Sequence, residues 1–180
     1  MSLVADIIAQ DPVGMKQLRA VRALGLPDWC IAAGFVRNRV WDHLHGIAPP
    51  RSPVDIDVLY FDATDTSKER EVEYEKRLDA LLTGLPWQVR NQARMHVWKG
   101  LAQHRDTADA MTYWLETVTA VGVRLEEDDS LTVIAPLGTD DLLGLCCRPT
   151  IFGRTQRADY EARIGNKRWR ELWPKVRFVD

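Results

Sequence analysis

The chain has 180 residues and a formal charge of −2, with 46% apolar and 28% charged residues. That length suits a single domain spanning 1–180 with a real core, and the composition excludes a disordered chain. The near-neutral charge excludes a general attraction to nucleic acid or anionic membrane, so any polyanion must be held by a local cluster of cations.

The opening segment MSLVADIIAQDPVG mixes acids with apolar residues and lacks a basic start, which is unlike a signal peptide. Asp11-Pro12 predicts a helix cap, and Met15, Leu18, Val21 and Leu24 recur at helical spacing until Gly25. A short strand follows over 29–32, then the turn Ala33-Gly34, then a helix over 35–45 with Phe35, Val36, Val40 and Leu44 as its apolar positions. Residues 46–53 form a proline-rich loop, and 54–61 is the strongest strand candidate. Thr66 and Glu69 predict a capping box opening a helix that reaches Leu82. Further on, the pattern predicts a strand over 87–91, a helix over 107–116, and a hairpin pairing 118–125 with 131–134. Thr139 is expected to cap a short helix over 140–145, and a closing helix over 159–173 stops at Pro174 with Tyr160, Ile164, Trp169 and Trp173 buried. No apolar stretch approaches the roughly 20 residues that span a bilayer. The three cysteines, Cys30, Cys146 and Cys147, form neither a disulfide framework nor a metal knuckle, and point to a reducing cytoplasm.

In the strand VDIDVLYF, alternation places Val54, Ile56, Val58 and Tyr60 on one face and Asp55 and Asp57 together on the other. Two carboxylates a few ångströms apart repel by about 1 kcal/mol in water and about 4 kcal/mol at an effective dielectric of 20. A bound cation removes that cost, and all-oxygen ligation with open positions suits Mg²⁺ or Mn²⁺. About twenty residues earlier, Gly34 lets phosphate approach the backbone at a helix N-terminus, and Arg37 adds a planar donor fork. A phosphate cradle followed by an acid pair outlines a nucleotide site. Arg94 and His96, in the polar segment NQARMH, are placed equally well against phosphate or in a loop that bonds its own backbone. The basic run NKRWR reads first as a solvated helix face, with RNA as a minor partner.

The segment AGFVRN followed by DID resembles the G-G-x-V-R-D and D-x-D signature of the polymerase-β-like nucleotidyltransferase superfamily. The blocks AAGFVRN, PVDIDV, NQARMH and TAVGVRL resemble a bacterial nucleotidyltransferase-like family in particular. The resemblance implies an α/β fold with a small mixed sheet flanked by helices. It also implies transfer of a nucleoside monophosphate from a nucleoside triphosphate, with Asp55 and Asp57 as the catalytic and metal-holding acids and Gly34 and Arg37 as triphosphate contacts; Asn38, beside Arg37, and Arg94, by its place in the polar segment, complete the candidate nucleotide contacts. Asn38 stands where the signature has aspartate. Asn91 stands where a third acid is expected, with Asp140 and Asp141 as substitutes that read equally well as helix-start acids. Two other readings are a non-catalytic descendant of the same fold, and a phosphatase of the haloacid dehalogenase kind, whose nucleophile strand DIDVL also resembles.

Overall fold

A computed structural model describes residues 2–51 and 54–180. The chain opens with α1 (Leu3–Ala9), a helix the sequence reading had not separated from its polar surroundings. Ser2 caps it, accepting from the Ala5 backbone N–H at 3.3 Å, and Val4, Ala5, Ile7 and Ile8 bury one face. In α2 (Pro12–Arg22) the expected cap forms: the Asp11 carboxylate accepts from the N–H groups of Val13 and Gly14 at 3.1 and 3.0 Å. Strand β1 (Cys30–Ala32) then leads through Ala33 directly into α3 (Gly34–Leu44). Asp11 also holds Arg39 of α3 at 2.7 Å, and this buried pair fixes α2 against α3.

Strand β2 (Ile56–Tyr60) is shorter than the expected 54–61, because Val54 lies 90% exposed outside the ladder. The loop expected over 46–53 lies partly outside the described residues. Helix α4 (Lys68–Leu81) starts later than the predicted capping box allows. Its N-cap is Ser67, whose hydroxyl and N–H both bond the Asp65 carboxylate, at 2.6 and 3.0 Å, so no side chain caps the helix. Next come β3 (Trp87–Asn91), a single 3₁₀ turn over Gln92–Arg94, and α5 (His96–Lys99).

The helix expected over 107–116 ends early, as α6 (Thr107–Met111). Beyond it the backbone bonds a distant segment instead of continuing the helix: Thr150 N–H donates to the Leu115 carbonyl at 3.0 Å and Thr117 N–H to the Arg148 carbonyl at 3.1 Å. The hairpin is β4 (Gly122–Leu125) with β5 (Leu131–Ile134). The chain closes with α7 (Asp140–Leu143), β6 (Cys146–Cys147), α8 (Ile151–Thr155), α9 (Arg157–Asn166), α10 (Trp169–Leu172) and β7 (Arg177–Phe178). The single closing helix predicted over 159–173 is therefore broken, with Lys167 extended between α9 and α10. Gly165 and Asn166, both poor helix formers, sit just before the break.

Five strands form one mixed sheet in the order β3-β2-β1-β4-β5, with β2 and β3 parallel and the other neighbours antiparallel. Ile31, Ile56, Val58, Tyr60, Val89 and Val123 are buried on one face, beneath Val4, Ile8, Leu18, Phe35, Val36 and Leu78 from the helices. The opposite face is thinly covered: Cys30, Ala32 and Leu59 meet only Met111, Ala120 and a few half-buried neighbours. That uneven cover leaves an opening over β2.

Candidate functional site

Strand register decides where the acids sit. Asp57 pairs with Ala32 across β1 and with Gln88 across β3, so it lies on the thinly covered face, one residue from the turn into α3. That turn carries strain at a position the sequence reading passed over. Ala33 has φ +54° and ψ −120°, a left-handed conformation that costs a non-glycine residue about 1–3 kcal/mol. Gly34 follows in ordinary helical geometry, and a Cβ there meets only Arg37 Nη2 and Asn38 Nδ2, both at 3.6 Å. The free protein therefore tolerates a small side chain at 34 in ordinary contact with Arg37 and Asn38, at a helix N-terminus that no side chain caps.

Ala33 and Asp57 line a cleft of about 540 Å³. Trp114, Leu115, Glu116 and Thr119 continue the lining, and Phe152 of α8, Gln156 between the two helices, and Asp159 and Arg163 of α9 complete it. Burial, and then the charge of Asp55, push the Asp57 carboxyl up to about 6, while Arg37, Arg163 and Arg90 pull it down. Asp57 thus carries the like-charge tension foreseen from the sequence. Asp55, half-buried, precedes the first residue of β2 and acts on Asp57 electrostatically without lining the cleft. Among the described residues, no three His, Cys, Asp or Glu side chains converge as a ready-made metal cage.

Arg37 is placed behind the cleft, not in it. It is 6% exposed, donates from Nη1 to Thr119 Oγ1 at 3.1 Å and from Nη2 to Asn38 Oδ1 at 2.9 Å, and lies 4.3 Å over the Trp169 ring. Asn38 thereby performs with an amide oxygen the pairing that the signature gives to a carboxylate. Burial pushes the Arg37 guanidinium down to about 10, with Glu116 opposing that shift and Arg163 adding to it.

Arg94 is not brought to the cleft. Its guanidinium makes a fork to the Glu71 carboxylate, Nε to Oε1 at 2.9 Å and Nη2 to Oε2 at 2.5 Å, and Glu71 is 3% exposed. Asn91 is fully engaged: its amide accepts from the N–H groups of Asp62 and Ala93 and donates to the carbonyls of Asp62 and Asp65. It also pairs with Tyr60, at the far end of β2 from the acids. Asp141 is taken up by Arg148 at 3.0 Å and by the Thr117 hydroxyl at 2.7 Å, and Asp140 is exposed at the start of α7. None of these substitutes reaches Asp57.

Two further carboxylates do line the cleft, Asp159 and Glu116; Glu116 is 1% exposed and ion-paired to Arg163 at 2.6 Å. The sequence reading placed it at the end of a helix and so missed it. A signal was present: a single acid in WLETVTAVG, among residues too apolar to offer a solvated face.

A strand, a strained turn into a helix N-terminus, and a neighbouring strand that presents Asp57 to a cleft, with Asp55 just before it, define a polymerase-β-like nucleotidyltransferase fold. A nucleotidyltransferase family profile matches residues 19–178, and the chain belongs to that family. The phosphatase reading is thereby displaced. A solved structure described as revealing a CCA-adding enzyme head domain is similar over 98% of this chain and 94% of that one, with 33% identity and a TM-score of 0.86. A CCA-adding enzyme in complex with CTP aligns with all of this chain and 44% of its own, at 17% identity and a TM-score of 0.62. The Thermotoga maritima CCA-adding enzyme complexed with tRNA aligns with 98% of this chain and 42% of its own, at 16% identity and a TM-score of 0.60. The chain thus spans less than half of those two longer enzymes, and at that identity they share the fold. No curated protein sequence matches the chain. No helix among the described residues is long and apolar enough to cross a membrane.

Proposed function

We propose that the protein is a divalent-metal-dependent nucleotidyltransferase that moves a nucleoside monophosphate from a nucleoside triphosphate to an acceptor hydroxyl. The observation that carries this reading is Asp57: a carboxylate raised to about 6 by burial and by Asp55, facing a cleft beside the strained turn into α3. The cleft lining holds three acids, Asp57, Glu116 and Asp159, against one cation, Arg163. Such a lining repels a triphosphate unless a cation enters with it. Two hard carboxylates with most positions left open fit Mg²⁺ or Mn²⁺, which retain waters and take phosphate oxygens. Held by Asp55 and Asp57, the ion supplies charge neutralisation at the reacting phosphate.

The chain's own residues do the rest. The uncapped N-terminus of α3 presents N–H groups and a partial positive charge to phosphate. Trp114 and Phe152 offer apolar surface in the cleft lining for a base. The acceptor oxygen forms a bond to the α-phosphorus, the α–β bridge breaks, pyrophosphate leaves, and the hydroxyl proton passes to water or a cleft carboxylate. An RNA end is one candidate acceptor, since relatives of the fold are recorded with CTP and with tRNA. A second reading, nucleotide binding without turnover, is favoured because no three acids converge as a metal cage among the described residues.

Pyrophosphate release separates them. With each of the four common triphosphates, Mg²⁺ or Mn²⁺, and either RNA or a mixture of small hydroxyl compounds, at least one combination should release pyrophosphate. Asp57→Asn should lower that rate about 100-fold or more, a loss of several kcal/mol of transition-state stabilisation. Metal-dependent triphosphate binding without release from any combination would establish the second reading instead.

A further inference from the structure

The Glu116–Arg163 contact is short but unsatisfied. Arg163 Nε lies 2.6 Å from Glu116 Oε1, yet the N–H is not directed at the oxygen, and neither atom completes a hydrogen bond. Glu116 is 1% exposed, so its carboxylate is a buried charge with a misaligned partner, aimed into the cleft it helps to line. A second cation waits behind it. Arg37 Nε is also buried without a hydrogen-bond partner, and Glu116 is the strongest charge acting on that guanidinium. Glu116 is therefore coupled to two guanidinium groups, that of buried Arg37 and that of Arg163, which is 38% exposed at the end of a long side chain. A bridge built only to tie α9 to the core has no need of a second buried guanidinium N–H left without an acceptor.

We propose that Arg163 is the polyphosphate-binding cation of the cleft, and that Glu116 is its internal substitute ligand, holding the guanidinium until a nucleoside triphosphate takes it and then turning to Arg37. This rests on the reading of the cleft as a nucleotide site and adds to it the residue that grips the phosphates. Arg163 is the cation of the cleft lining among the described residues, and its planar fork suits phosphate as well as carboxylate. Glu116 already lies 2.6 Å from that guanidinium in the free protein, so a phosphate must displace an anion already in place. The handover keeps the buried carboxylate paired throughout, because Arg37 neutralises it when Arg163 leaves. Asp159, one helical turn before Arg163 on α9, adds negative charge at the same wall and favours entry of the phosphate together with its metal.

The test is titration calorimetry with Mg²⁺ and each of ATP, CTP, GTP and UTP, and separately with inorganic tripolyphosphate, on wild type, Glu116→Gln, Arg163→Gln and the double variant. Removing the internal competitor should tighten binding about tenfold in Glu116→Gln, and removing the cation should weaken it about tenfold in Arg163→Gln. The double variant, which removes one charge of each sign and keeps the cleft's net charge, should bind like Arg163→Gln whether or not Glu116→Gln folds well alone. Tripolyphosphate, which has no base, should follow the same order. Weaker binding in Glu116→Gln would make Glu116 a ligand contact and overturn the proposal. Unchanged binding in Arg163→Gln, with wild type binding normally, would overturn it while leaving the nucleotide reading intact. Absence of binding by both wild type and Glu116→Gln would bring down both.

Discussion

Replacing Asp57 with asparagine should raise the melting temperature of the metal-free protein at pH 7.5 by about 4–8 °C. The sign follows from the direction of the shift. The Asp57 carboxyl ionises near 3.8 in an unfolded chain and near 6 in the folded one, so folding opposes its charge. For a carboxyl raised in this way, stability falls as pH climbs from about 4 through 6 and stays low above that. The shift is worth about 3 kcal/mol, of which water at the cleft mouth leaves about 2 kcal/mol. Asparagine removes that penalty at pH 7.5. At pH 4, where the folded wild type is already protonated, the two proteins should melt together. A carboxylate held by structural hydrogen bonds behaves oppositely, since its replacement destabilises the fold at neutral pH. Thermal melts of both proteins at pH 4 and 7.5 decide between these outcomes.

Arg94→Ala should produce the largest loss of stability among the residues once considered for nucleotide contact, about 3–5 kcal/mol. The reason is what it leaves behind. Glu71 is 3% exposed and would retain only the Asn91 N–H at 2.7 Å as a close donor for its charge. A drop of about 6–20 °C in melting temperature is therefore expected for a chain of this size. Triphosphate affinity, measured where the variant remains folded, should equal that of wild type, because Arg94 sits beneath α4 and does not line the cleft. A fold of near-normal stability with greatly weakened binding would return Arg94 to the site.

These two residues divide what a local sequence rule can show from what it cannot. The placement of Asp57 was legible because strand alternation is a local rule and β2 keeps it in register with Ala32 of β1, whereas Asp55 falls just before the strand. The strand-turn-helix unit was legible for the same reason: β1, Gly34 and α3 are contiguous. The tension between Asp55 and Asp57 followed from Coulomb's law alone and reappears in the raised Asp57 carboxyl. Arg94 could not be placed from sequence, since its partner Glu71 lies on another element and an arginine in a polar loop has no preferred acceptor. Arg37 was placed near the acids, yet its aromatic bed comes from Trp169, more than a hundred residues away in the chain.

The largest omission was Glu116. Its environment is assembled from Arg37, Arg163 and the backbone exchange between 115–117 and 148–150, none of which a periodicity argument can see. The strain at Ala33 was hidden because alanine seldom marks a left-handed turn, and attention fell on the glycine beside it. The predicted box of Thr66 and Glu69 did not form: the N-cap is Ser67, whose hydroxyl donates to Asp65 and caps nothing.

The central claim is that Asp55 and Asp57 together hold a divalent cation, and Mn²⁺ titration followed by electron paramagnetic resonance tests it most directly. The free-ion signal should fall as protein is added at pH 7.5, fall further with a nucleoside triphosphate present, and recover as pH drops through 6 and Asp57 takes up a proton. Asp57→Asn should leave the free-ion signal close to that of a protein-free solution. A wild type that removes no Mn²⁺ from solution with or without triphosphate, or an Asp57→Asn variant that removes as much as wild type, would contradict the account.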